Sequence, residues 1–264
     1  MIKRDIYIKK IKPFIDKDIV KVLTGIRRSG KSIMLKLIME ELENSGVSRE
    51  NFISINFENL NNKKLCTAEA LNDFILSKAE KNKKYYIFLD EIQEVLEWEK
   101  CINSLRAEEE YSFDIYITGS NAKLLSGELA TYLAGRYVEF IIYPFSFKEF
   151  LDSVKHLYKN INTQEVFRKY ILFGGMPFLC NLNFNEEASM QYLKDIYSSI
   201  ILKDITQRNN IRDIDLLQRI IAYIIMNVGN TFSATSISKF FKSENRKASP
   251  ETILNYIKAC EEAM

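Results

Sequence analysis

Residues 25–32 read GIRRSGKS and follow, one residue on, the apolar run IVKVL at 19–23. The stretch fits G-x-x-x-x-G-K-[ST], with a strand-like segment before it and a helix-like one after it, the context in which such a loop binds phosphate. Its glycines let backbone N–H groups turn onto phosphate oxygens, and a helix N-terminus adds the positive end of its dipole. Lys31 is predicted to reach the β and γ phosphates, and Ser32 to hold Mg²⁺ through its hydroxyl. Gly25, Arg27, Arg28, Ser29, Gly30 and Ile33 complete the predicted nucleotide-binding set. Arg27 and Arg28 fill variable positions. One can add charge to the phosphate cradle or reach a neighbouring subunit, and at least one reads as a solvated side chain.

Working outward, KSIMLKLIMEELENSG places Ile33, Met34, Leu37, Ile38 and Leu42 at helical spacing, with Gly46 as a stop. This predicts a helix packed on a sheet and opening inside the loop. Runs rich in Val, Ile, Phe and Tyr recur at DIVKVL, NFISINF, KYYIFLD, FDIYITG and RYVEFII, with helical periodicity between them. Such alternation predicts an α/β fold with a parallel sheet covered by helices.

The composition excludes some classes. Apolar residues are 47% and charged residues 27%, and 37 basic side chains face 35 acidic ones, so no global polyanion-binding signature exists. No apolar run approaches the ~20 residues of a membrane span and the start, MIKRDIYIKK, lacks a signal-peptide pattern. A cytoplasmic protein is expected. Cys66, Cys101, Cys180 and Cys260 are scattered singly, with His156 the one imidazole, which suggests neither zinc nor disulfides.

A second motif, YYIFLDEIQ, ends an apolar strand in Asp90 and Glu91. Beside a phosphate loop about sixty residues upstream, Asp90 is expected to support the Mg²⁺ shell and Glu91 to orient and deprotonate the attacking water. A metal-only role for both carboxylates is the alternative. A third, FDIYITGSN, carries Thr118, Ser120 and Asn121 at a strand end. Asn121 is the first choice for a side chain touching the γ-phosphate and the water, with Ser120 next and helix capping as its competing role. A fourth, LAGRYVEFIIYPFSFKEF, contains Arg136 in Gly-Arg before the last strand.

The order phosphate loop, FLDE, TGSN and GR resembles the AAA+ ATPases, and VLTGIRRSGKS, FLDEIQEVLEWEKCINSL, YITGSNAKLLS, LAGRYVEFIIYPFSFKEFL, FGGMPFL and ILKDITQRNNIRD together resemble a large prokaryotic group of AAA ATPases. The resemblance covers nearly the whole chain. It implies a P-loop NTPase sheet of strand order 5-1-4-3-2, ATP and ADP with Mg²⁺ as ligands, and Arg136 as a finger completing a neighbouring subunit's site in a homo-oligomer. An ion pair of Arg136 with Glu139 is the structural alternative. It further implies a paired arginine in the loop and an N-terminal segment, RDIYIKKIKPFI, that closes over the base.

The expected organisation is an ATPase core at 1–145, a helical lid at 146–206 interrupted by FGGMPFL, and a helix-turn-helix or winged-helix-like unit at 207–264. In that last unit Ser249 fits an N-cap with Pro250 at the first helical position. The chain stops at Met264 without the strands of a wing, which reads as a truncation. Two functions of different class follow. The first is Mg-dependent ATP binding and hydrolysis driving a conformational switch. The second is a nucleotide-regulated module binding duplex DNA through 232–264, where Lys239, Lys242, Arg246, Lys247 and Lys258 cluster but Glu261 and Glu262 oppose phosphate. A kinase using the same loop is third, disfavoured by the Glu after Asp90. An unidentified protein partner completes the expected interactions.

Overall fold

The computed structural model describes residues 2–119, 133, 135–157, 162–207 and 209–262; the side chains of 156, 157, 202–204, 207 and 262 lie outside that description. Five strands form one parallel sheet: β1 (Val20–Thr24), β2 (Phe52–Asn56), β3 (Lys84–Asp90), β4 (Ser112–Thr118) and β5 (Tyr137–Ile141). Their order is β2-β3-β4-β1-β5, the sequence 5-1-4-3-2 read from the other edge. All five apolar runs became strands, and every pair is parallel.

Strand parity assigns the two faces, because successive side chains point to opposite sides. Val22, Ile55, Ile87, Leu89, Ile115 and Ile117 face α3 (Ala68–Lys78) and α4 (Trp98–Ala107), burying Leu71, Ile75, Trp98, Ile102 and Leu105. Leu23, Phe88, Tyr116 and Phe140 face the other way, against Tyr7 and Ile11 of α1 (Asp5–Ile11) and Met34, Leu35, Leu37, Ile38 and Leu42 of α2 (Lys31–Asn44). The amphipathic reading of α2 holds with one correction. Ile33 is 40% exposed, because it occupies the first turn beside the phosphate loop, and Leu35 takes its place in the core.

One ionic pair lies inside this second core. Lys21 of β1 meets Asp114 of β4 with both side chains fully buried, and Asp114 also accepts from the Asp16 N–H (2.8 Å) and the Tyr116 hydroxyl (3.0 Å). Burial pulls the Lys21 ammonium below its ordinary range, opposed by the attraction of Asp114.

Among the described residues no strand follows β5, as the sequence predicts. Helices α5 (Phe147–Leu157) and α6 (Thr163–Phe173) follow, then a 3₁₀ segment Pro177–Leu182 and α7 (Glu186–Ser199). The two glycines of FGGMPFL have separate jobs. Gly174 ends α6 at φ +69°, and Gly175 packs so closely that a Cβ there would meet the Phe145 carbonyl oxygen at 2.1 Å.

The chain divides into two compact units, 1–191 and 192–264. The second contains a π-helical stretch Ile200–Gln207 and helices α8 (Ile214–Met226), α9 (Ala234–Ser243) and α10 (Pro250–Glu262). Its core gathers Ile201, Ile205, Leu217 and Ala259, and beside them Leu216, Ile220, Ile237, Phe241 and Ile253. Each helix start is capped by a short polar side chain. Asp213 accepts from the Leu216 N–H, Ser233 forms a capping box with Ser236, and Ser249 accepts from the Thr252 N–H. Among the described residues, no helix is long and apolar enough to cross a membrane.

Candidate active site: a phosphate loop facing an acidic strand end

The loop 25–30 leaves the C-terminal end of β1 and enters α2. Gly25 has φ +132°, and a Cβ there would lie 2.3 Å from the Ile142 carbonyl oxygen, so only glycine lets the loop pass the chain leaving β5. Gly30 is the left-handed N-cap of α2 at φ +101°. Arg28 also takes a left-handed turn, at φ +64°, which puts its side chain in solvent, whereas Arg27 is half-buried. The solvated reading therefore fits Arg28. The Lys31 ammonium is buried and donates to the Gly25 carbonyl (3.0 Å) and the Ile26 carbonyl (3.3 Å), so it is held against the loop.

Across from the loop, parity gathers three polar strand ends on the α2 face of the sheet. Asn56 lies opposite Asp90 in the β2–β3 register, and Leu89 lies opposite Ile117, which brings Thr118 level with Asp90. Asp90 is the centre. Its Oδ1 accepts from the Ser32 hydroxyl (3.0 Å) and the Thr118 hydroxyl (2.5 Å), and its Oδ2 from the Asn56 amide (2.9 Å). Thr118 in turn accepts from the Glu91 N–H at 3.0 Å. Glu91 stands in the left-handed region at φ +57°, a conformation that turns the chain sharply at the strand end, and its carboxylate accepts from the Gln93 side-chain amide.

The structure thus brings together Lys31, Ser32, Asp90 and Glu91. Ser120 and Asn121 lie outside the described residues. Arg136 is exposed just before β5, and its carbonyl accepts from the Val20 N–H at 3.0 Å. Glu139, its suggested ion partner, instead accepts from the Thr24 hydroxyl at 2.5 Å. Sequence reading passed over Asn56 and placed Thr118 behind its neighbours. The available signal was parity, since both residues end strands on the side of Phe52, Phe88 and Tyr116.

A further polar assembly supports the loop from behind. The Arg4 guanidinium is 2% exposed and donates to Glu149 of α5 (2.8 Å from Nε, 3.3 Å from Nη2), to the Ser29 carbonyl (3.2 Å) and to the Tyr143 carbonyl (2.8 Å). It also lies 4.5 Å from the Tyr7 ring centroid. Burial alone would raise the Glu149 pKa, but hydrogen bonds from Arg4 and Ser146 outweigh it and hold the carboxyl below its ordinary value. Nearby, a cavity of about 440 Å³ is lined by Ile6, Tyr7, Tyr143, Phe145, Tyr170 and Gly175.

The donor set suits a nucleotide with Mg²⁺. Ser32 and Asp90 offer hard oxygens at hydrogen-bond distance from one another, as Mg²⁺ requires. Ser29, inside the loop, has a fully buried hydroxyl with no hydrogen-bond partner, which is costly unless a ligand satisfies it.

Comparison with known proteins agrees with this geometry. An uncharacterised protein of Haemophilus influenzae is 38% identical over 269 aligned residues, covering 100% of this chain and 65% of the relative. The protein MJ1544 of Methanocaldococcus jannaschii is 35% identical, over 97% of this chain and 56% of its own. The chain therefore spans less than two thirds of either relative. Among solved structures, the Walker-type ATPase PABY2304 of Pyrococcus abyssi matches at TM-score 0.63 and 16% identity, covering 100% of this chain and 90% of that one. A RuvB variant of Thermotoga maritima matches at TM-score 0.51 and 16% identity, covering 99% and 88%. These two likenesses show a shared P-loop ATPase fold. Residues 164–264 match a domain of unknown function. The model of an AAA domain matches residues 17–151, just over half of the 264, and the chain belongs to that AAA family.

Proposed function

We propose that this chain binds ATP with Mg²⁺ and hydrolyses it to ADP and phosphate, using the change between the two nucleotides as a conformational switch. The observation that carries the reading is the convergence of Ser32, Thr118 and Asn56 on Asp90, with a buried Lys31 next to Ser32 in the chain. Bound Mg²⁺ would neutralise phosphate charge and orient the transferred group.

In this reading the backbone N–H groups of 25–31 other than that of Ser29, which donates to the Ile26 carbonyl, cradle the β and γ phosphates, and Lys31 exchanges its loop carbonyls for phosphate oxygens. Ser32 and Asp90 hold the metal, with Asn56 and Thr118 fixing the carboxylate from both sides. Glu91 accepts the proton of the attacking water. Its backbone is pinned by Thr118, and Gln93 orients its carboxylate. The adenine would enter the cavity beside Tyr7 and Tyr143, whose lining from α1 and α6 accords with a closing N-terminal segment and with 146–206 acting as a lid. Arg136, exposed ahead of β5, is free of burial cost to act on a neighbouring subunit. Asn121 or Ser120 would complete the γ-phosphate contacts.

The test is a pair of variants. Lys31→Ala should abolish binding of ATP by calorimetry, and Glu91→Gln should bind ATP yet lose at least about a hundredfold in turnover. Parental hydrolysis by Glu91→Gln would remove Glu91 from its role, and lack of ATP and ADP binding by the unmodified chain would remove the function itself.

Duplex-DNA binding through 232–264 remains a second reading. Lys239, Lys242 and Lys247 are exposed there, but Arg246 is engaged by Asp215, which reduces the free charge on that face.

A further inference from the structure

We propose that Arg4 is a positioning residue that sets the polarity of the phosphate loop by fixing one peptide plane, and so couples the N-terminal segment and α5 to nucleotide affinity. The proposal rests on the nucleotide-binding reading above and extends it to the regulation of that site.

A trans peptide unit is planar, so the carbonyl of one residue and the N–H of the next point in opposite directions. The Arg4 Nη1 donates to the Ser29 carbonyl at 3.2 Å. Held there, the Ser29–Gly30 plane aims the Gly30 N–H away from the guanidinium and into the loop, where an anion would sit. The Ser29 N–H belongs to the preceding Arg28–Ser29 plane and donates to the Ile26 carbonyl at 3.2 Å, so that plane is held within the loop, whereas the Ser29–Gly30 plane is held at its carbonyl by Arg4. Gly30 itself has φ +101° and no Cβ to resist rotation, so without a partner for the Ser29 carbonyl the plane would turn easily.

The guanidinium is itself fixed from three sides. Glu149 takes a bidentate hydrogen bond, the Tyr143 and Pro144 carbonyls accept from Nη2, and the Tyr7 ring lies 4.5 Å away. Glu149 is also bound by the Ser146 N–H (2.8 Å) and hydroxyl (2.9 Å) at the start of α5. A rigid fork of five donors suits this task, since lysine can supply the charge but cannot span carboxylate and carbonyls in one plane. Movement of α1 or α5 would therefore reach the phosphates through a single side chain. By reciprocity, nucleotide would hold α1 and α5 in place.

The experiment compares the parent chain with Arg4→Lys by ADP·Mg²⁺ titration and by the amide resonances of ¹⁵N-glycine-labelled protein. The parent should show a large shift of the Gly30 amide on ADP addition. Arg4→Lys should remain folded, bind ADP about tenfold or more weakly, and lose that shift, as expected when one donor to a charged group is misdirected. Should Arg4→Lys fail to fold, Arg4→Met with Glu149→Leu removes the buried pair as a unit and must give the same loss. A folded variant that binds ADP with parental affinity and keeps the Gly30 shift overturns the proposal. Absence of ADP binding by the parent would instead overturn the functional reading on which it stands.

Discussion

Replacing Thr118 with valine would separate the polar cluster from the apolar core around it. The side chain is fully buried, and valine has nearly its shape, so the change removes a hydroxyl and little else. Two hydrogen bonds go: the charge-assisted one to Asp90 Oδ1 (2.5 Å) and the one accepted from the Glu91 N–H (3.0 Å). The first type is worth about 1.5–3 kcal/mol and the second about 0.5–1.5 kcal/mol, while the added methyl returns about 0.8 kcal/mol. The net cost is about 1–4 kcal/mol, a fall in melting temperature of about 2–15 °C for a chain of this size. Glu91 loses the contact that holds its left-handed backbone, so the carboxylate should leave its working position while Lys31 and Gly30 are untouched. Thermal unfolding with single-turnover hydrolysis measures both effects, and nucleotide affinity should fall far less than the rate. Thr118→Ser retains the hydroxyl and should recover most of the rate. If Thr118→Val melts within a degree of the parent and turns over normally, the bridge between Asp90 and Glu91 has no part in the site.

Three further outcomes are expected. Lys21→Met should cost about 3–5 kcal/mol by denaturant unfolding because it strands Asp114 in the core, whereas Lys21→Met with Asp114→Leu should recover most of that, and single-variant costs below about 1 kcal/mol would refute the buried-pair account. Gly25→Ala should abolish nucleotide binding or folding, since its Cβ would lie 2.3 Å from the Ile142 carbonyl oxygen, and normal binding would show that the β5 end yields. Glu149 has a folded pKa below its ordinary 4.5, so its contribution is present above that value and lost as pH falls through the lower folded one. The gap in melting temperature between the parent and Glu149→Gln should hold constant near neutrality and close only below pH 4.5, and a gap that closes above pH 6 would refute the assignment.

The loop at 25–32 and the strand ending at Asp90 were legible because both are local. A glycine spacing fixes the backbone, and an apolar run ending in carboxylates fixes a sheet edge, with no distant residue needed. Likewise all five strands announced themselves through β-branched and aromatic runs, and their order followed from resemblance. Asn56 and Arg4 were not legible for the opposite reason. Asn56 matters only through its register with Asp90, a fact about pairing that β2 alone does not contain. Arg4 looks like one cation among the several in MIKRDIYIKK, yet it is fully enclosed while Lys3, Lys9 and Lys10 are exposed. Its partners lie 25 to 145 residues away, in the phosphate loop and α5. Ile33 fails in a third way. Helical spacing put it on the buried face, but the first turn of α2 projects past the sheet toward the site, where apolar surface remains open. Periodicity names the face of a helix and not the point where the sheet beneath it ends, and in an open α/β sheet that point is where ligands bind. Asn56, Thr118 and Ile33 therefore fail at the ligand-binding edge of the sheet, around the same few residues to which the chemistry is assigned, and Arg4 fails behind it.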